Sequence, residues 1–121
     1  MAHGGFLRQH SDDPVLASHM MHDYTQADID HQTRTMLDFV AQLTREPSSM
    51  KEANVEGLRE VGFSDDNILS ITLVTCLYNF MTRLADGLGV EFPERGQELV
   101  KGWLQSPARE QEWLFAPKSD D

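Results

Sequence analysis

Apolar residues recur along this chain at helical spacing, and the runs break at Gly, Pro and small polar residues. Phe6 and Leu7 mark a first short helix. Asp12-Asp13-Pro14 ends it, because a residue before proline is pushed out of the helical region. Pro14 suits the first turn of a second helix, with Asp13 as N-cap and Val15, Leu16, His19, Met20 and Tyr24 along it. Asp28 or Asp30 caps a third helix that runs to about Glu46. Its apolar stripe is Met36, Leu37, Val40 and Leu43, and Pro47 stops it.

Ser49-Met-Lys-Glu52 fits the capping-box pattern at the start of a fourth helix, which carries Val55, Leu58 and Val61 on one face. Gly62 is the expected left-handed residue at its end. Ser64 then reads as an N-cap, with Asp65 and Asp66 placed favourably against the positive end of the helix dipole. The helix from about Asp65 to Asp86 is the most apolar of all, and its apolar residues go nearly all the way round. Such a helix is expected at the centre of a bundle or at a subunit interface. Gly87 and Gly89 end it. Beyond it, Leu99, Val100, Trp103 and Leu104, then Trp113-Leu-Phe115 after Pro107, predict one or two short helices. Residues 118–121 read as a disordered tail. With no hairpin signal and no internal repeat, the pattern predicts an all-α fold, a single helical domain over 1–117.

Composition narrows the partners. A chain of 121 residues favours one domain. Twenty acidic against ten basic residues give a formal net charge of -10. That excess opposes nucleic acid, whose phosphates need clustered Lys and Arg, and it opposes an anionic membrane surface. No apolar run reaches the roughly 18 residues of a spanning helix. Met1-Ala-His-Gly-Gly-Phe lacks the basic and apolar regions of a secretory signal. The one cysteine, Cys76, cannot form a disulfide within the chain, so a reducing cytoplasm is the simplest compartment.

The chemistry-bearing residues are few. Cys76 lies mid-helix among Val74, Leu77 and Tyr78, and reads as a buried thiol that packs as a small hydrophobe. A peroxidatic role would need a His or Arg brought to it, and Arg83 is two turns along the same helix. All five His fall in the first 31 residues: His3, His10, His19, His22 and His31. His19 and His22 share a face beside Asp23, but Zn or Ni would need further ligands that no spacing defines. The expectation is a polar helix face, with no metal and no cofactor. Asn79 and Arg83, four apart, share a face, and Arg83 and Asp86, three apart, can pair. Their expected role is to pack the helix end against neighbouring helices or another subunit, with the lining of a pocket as the alternative. Trp103 and Trp113 are expected to close the core or an interface. Glu52, Glu56 and Glu60 recur every four residues near Lys51 and Arg59, as a solvated face would.

Three segments carry a resemblance. Met36-Leu-Asp-Phe-Val-Ala-Gln-Leu-Thr-Arg-Glu-Pro-Ser-Ser, Val61-Gly-Phe-Ser-Asp-Asp-Asn-Ile-Leu and Asn79-Phe-Met-Thr-Arg-Leu-Ala-Asp-Gly-Leu-Gly-Val90 together look like the C-terminal half of the peroxidase-related proteins of the alkylhydroperoxidase (AhpD-like) and carboxymuconolactone decarboxylase superfamily. The resemblance implies an all-helical bundle that forms dimers or higher oligomers. It implies thiol-dependent reduction of a small hydroperoxide, an antioxidant oxidoreductase activity, with a dithiol as reductant. The family carries this chemistry on a Cys-x-x-Cys-x-x-x-His motif. His3-Gly-Gly-Phe-Leu-Arg8 resembles the segment that follows the motif's second Cys, which makes His3 the candidate catalytic residue by resemblance. The Cys pair itself is absent from these residues, so the chain is expected to be truncated at its N-terminus. Loss of the preceding helices would bare apolar surface on the helix from Asp65, and a homo-oligomer is the expected result. Two other readings stand beside this one. They are a non-catalytic helical oligomerisation or binding module, and a decarboxylase-like enzyme that relies on His and Arg.

Overall fold

A computed structural model describes residues 2–13 and 15–90, apart from the side chains of Ala2, Gly5 and His22. The elements expected from Phe92 to Phe115 and the tail at 118–121 lie outside the described residues. Every described element is helical: α1 (Ala2–His10), α2 (Leu16–His22), α3 (His31–Arg45), α4 (Glu52–Glu60) and α5 (Asp65–Gly87). Short 3-10 turns occupy Tyr24–Gln26 and Pro47–Ser49. The chain divides into two compact units, and the described parts are residues up to Asp28 in one and from Ile29 to Val90 in the other.

In the first unit, α1 packs on α2. Gly4 is buried there, and an added Cβ would stand 2.0 Å from the Met21 sulfur, so that side chain would have to move aside. Ala17 and Ser18 are buried on α2. The second helix starts two residues later than the proline suggests. Asp13 accepts the Val15 N–H at 2.8 Å, closing a turn before the helix instead of capping it. Tyr24, expected on this helix, sits in a separate 3-10 turn because Asp23 captures the Thr25 N–H at 3.1 Å.

The second unit holds the larger core. Asp30 caps α3: its Oδ1 accepts the Thr33 N–H and its Oδ2 the Thr33 hydroxyl, each at 2.8 Å. These bonds, the backbone one first, hold the Asp30 carboxyl below the usual carboxylate range. Phe39 of α3, Leu58 of α4 and Ile68 of α5 form the buried centre, flanked by Met36, Val40 and Leu43. Leu58 is fully buried. Burial of such a side chain contributes about 1.5–3 kcal/mol.

The expected capping box at Ser49–Glu52 does not form. Ser49 is consumed by the preceding turn, where its hydroxyl donates to the Glu46 carbonyl oxygen at 2.7 Å. Asn54 does the work instead, accepting the Lys51 N–H at 2.8 Å. The far end of α4 follows the sequence closely. Gly62 has φ of 100°, a left-handed conformation that side chains resist. Gly62 N–H donates to the Arg59 carbonyl oxygen and Phe63 N–H to that of Leu58, the paired bonds of a Schellman motif. Gly89, with φ of 62°, repeats the arrangement at the end of α5, where Gly89 and Val90 donate to Asp86 and Ala85. Ser64 caps α5 by accepting the Asn67 N–H, while Asn67 Oδ1 accepts the Ser64 N–H, both at 3.2 Å.

α5 departs from expectation in its surroundings. α3 and α4 pack along one side, burying Ile68 and Thr75. The other side is bare: Leu73 is 59%, Leu77 56% and Phe80 60% exposed. The helix is therefore not enclosed, because its neighbours in this unit cover only one of its two apolar sides. By length and mean hydropathy, 1.4, it is also apolar enough to cross a membrane, although no uninterrupted apolar run marks it.

Candidate functional site

Polar side chains knit the second unit where periodicity gives no hint of them. Gln42 on α3 donates to the Ser49 hydroxyl at 3.0 Å and accepts from Asn54 of α4 at 2.8 Å. Gln32 at the start of α3 donates to the Val61 carbonyl oxygen at 2.9 Å, tying down the turn into α5. Asn79 of α5 donates its amide to the Thr44 hydroxyl of α3 at 3.1 Å. Each bond spans two elements, so only the fold reveals the pairing. Arg59 bridges Asp65 across the α4–α5 turn at 2.8 Å and also pairs with Glu56. These bonds, to Asp65 first, hold its guanidinium above the ordinary range. The pairs are exposed, so solvent screens most of their contribution.

The Thr44–Asn79 bond stands between two open clefts. One, of about 450 Å³, is mostly apolar and runs between α3 and α5, with Met36, Val40, Ile71 and Thr75 in its walls. The other, of about 350 Å³, is lined by Leu43, Pro47, Cys76, Asn79, Phe80 and Arg83. This second cleft corrects the reading of Cys76. The thiol is exposed, not buried, because α3 covers only the inner side of α5 and Cys76 sits at the edge of that cover. The structure thus brings Cys76, Asn79 and Arg83 to one cleft. Arg83 donates to the Asn79 carbonyl oxygen at 3.1 Å, and among the described residues it makes no ion pair with Asp86.

The histidines lie mostly elsewhere. His3 is exposed in the first turn of α1. His10 Nδ1 is 2.9 Å from the Phe6 carbonyl oxygen, and its ring stacks on Phe6 with centroids 4.1 Å apart. His19 Nδ1 is buried without a hydrogen-bond partner among the described residues. His31 opens α3 and is exposed. The His22 side chain, Trp103 and Trp113 fall outside what is described. Among the described residues, no three His, Cys, Asp or Glu gather where a metal ion could be held.

The five described helices, with two caps read from the sequence, define an all-α protein, and a polar link ties α3 to α5. Known structures supply its kin. An uncharacterized peroxidase-related protein from Silicibacter sp. TM1040 is 37% identical, with a TM-score of 0.70 over 78% of this chain and 49% of its own. A peroxidase-related protein from Ralstonia eutropha JMP134, described by its alkylhydroperoxidase AhpD core, is 32% identical, with a TM-score of 0.67 over 78% of this chain and 50% of its own. No protein-family profile and no curated protein matches the chain. On these two likenesses the chain resembles the AhpD-like, peroxidase-related proteins, and it spans about half the length of the solved structures it matches.

Proposed function

We propose that this chain serves a thiol-dependent hydroperoxide reductase, and that it supplies helical scaffold to that protein, with His3 at the edge of the redox site. The likeness to the peroxidase-related protein at 37% identity is the observation that carries the reading. The chemistry explains what the residues in hand can and cannot do. A thiolate attacks one peroxide oxygen, the O–O bond breaks, and the other oxygen leaves as an alcohol after taking a proton. The sulfenic acid that remains is attacked by a second thiol, releasing water and leaving a disulfide. A dithiol donor then restores both thiols by exchange. The cycle needs two sulfurs, and these 121 residues hold one cysteine. Cys76 by itself cannot complete it.

The bare side of α5 favours a second reading, a non-catalytic helical assembly module. One measurement separates the two: the intact mass of the protein purified from its native source, with sequencing of its N-terminus and a dithiol-coupled hydroperoxide assay. The expected result is a mass above 13.7 kDa, a Cys-x-x-Cys whose second Cys lies four residues before His3, and turnover abolished by thiol alkylation. A mass of 13.7 kDa with no thiol-dependent turnover overturns the peroxidase reading and leaves the assembly module.

A further inference from the structure

The cleft at Cys76 combines groups that the peroxide cycle leaves unused. Cys76, Asn79, Phe80 and Arg83 stand at i, i+3, i+4 and i+7 along α5, so they share one face over about 10 Å of helix. The end of α3 and the turn after it add Leu43 and Pro47, and the space between is about 350 Å³. Among the described residues no carboxylate lines it, in a chain with twenty acidic residues. Arg83 is steadied along the helix by one hydrogen bond, from Nη1 to the Asn79 carbonyl oxygen. A guanidinium carries five N–H donors in a flat fork. Among the described residues the rest of that fork meets no acceptor and no acid. Asn79 is fixed as well, since its amide donates to the Thr44 hydroxyl.

We propose that this cleft binds a small monocarboxylic acid with an apolar body, the carboxylate on the Arg83 guanidinium and the body among Leu43, Pro47 and Phe80. A planar fork meets a carboxylate in two parallel N–H···O bonds, which a point charge does not offer. Phosphate is the other anion that an arginine takes. It is polar on every side and gains nothing from three apolar walls, whereas an acid with a hydrocarbon body removes that body from water. The volume sets the size. Small-molecule pockets run from about 300 to 1,000 Å³, and this one stands at the lower end, with room for a ring and a short chain. The net charge of -10 repels any anion at long range. Salt screens that repulsion beyond about 8–10 Å, so the local cation decides. The inference stands apart from the peroxidase reading, which uses none of these side chains.

Cys76 is the only thiol of the chain and reports whether the cleft is filled. The 121-residue chain is alkylated with neutral iodoacetamide, and its mass is followed with phenylacetate, phenylacetamide or inorganic phosphate present. At ten times the dissociation constant found by calorimetric titration, phenylacetate is expected to slow alkylation about tenfold by mass action. Phenylacetamide has the same body without the charge, and phosphate has the charge without the body. Both are expected to leave the rate unchanged at that concentration. Arg83→Gln is expected to abolish the protection with helical circular dichroism unchanged. Should that variant fail to fold, Arg83→Lys decides, since it keeps the charge without the fork and is expected to bind phenylacetate several-fold more weakly. No binding of phenylacetate, or binding that leaves Cys76 as reactive as before, overturns the proposal. Equal protection by the amide or by phosphate overturns it too, as does a folded Arg83 variant that is protected like wild type.

Discussion

Both sides of α5 carry large apolar residues, and the two have opposite fates. On the inner side Ile68 joins Phe39 and Leu58 in the core, and Thr75 is buried further along the helix. On the outer side Leu69, Leu73 and Leu77 are more than half exposed. Apolar composition states that a surface is to be removed from water. It does not state what removes it. The inner side is settled by α3 and α4, whose stripes, caps and turns aim them at α5. The outer side is settled by nothing described within its own unit.

The sharpest way to break this contrast is to shorten one side chain on each side. Leu58→Ala empties a fully buried position and is expected to cost about 2–5 kcal/mol. Leu77→Ala, at 56% exposure, is expected to cost under about 0.5 kcal/mol. Urea unfolding followed by circular dichroism measures both. Equal losses would mean that the outer side is already packed within one chain.

Next in size is the turn that aims α5 at the core. Gly62→Ala places a side chain at φ of 100° and about 3.3 Å from the Gln32 amide that holds the turn. The expected cost is about 1–2 kcal/mol. A smaller change of opposite sign is expected at Gly57, inside α4, where an added Cβ meets nothing within 4 Å. Gly57→Ala should stabilise by about 0.5–1 kcal/mol, since glycine is a poor helix residue and no contact is disturbed. A midpoint shift of the same sign for both variants would contradict the Schellman geometry.

What was legible in the sequence follows from range. Ser64, Gly62 and Gly89 act on neighbours within a few residues, so their roles are written locally and the structure bears them out. Ser49 shows the limit of that rule. Two local bonds compete for it, and the turn behind wins over the helix ahead. Cys76 is exposed where the pattern predicts burial, because its burial depends on which side of α5 its neighbours cover. Helical periodicity reports an apolar ring but not the direction of approach. Thr44–Asn79 and Gln42–Asn54 join residues 35 and 12 positions apart, and no pattern along the chain links them. The cleft at Cys76 inherits the same obscurity, since α3 supplies Leu43 to its wall and α5 supplies Arg83.

The smallest expected effect lies at the start of α3, the helix that covers the inner side of α5. Asp30 is exposed and its carboxyl titrates below the usual range because the Thr33 N–H and hydroxyl favour the charged form. A carboxyl with a depressed folded-state pKa adds stability above its unfolded-state pKa. That stability is lost as the pH falls through the lower, folded-state value. Asp30→Asn keeps an N-cap oxygen but removes the titration and the favourable charge at the helix N-terminus. Wild type is therefore expected to hold a slightly higher urea midpoint than Asp30→Asn near neutral pH, and to lose that lead as the pH drops to about 2. The remaining carboxyls titrate in both proteins, so the difference between the two curves isolates Asp30. A lead that persists unchanged to the acid limit would show that the cap acts through geometry alone. The inner side of α5 would then rest on a helix start that is indifferent to charge.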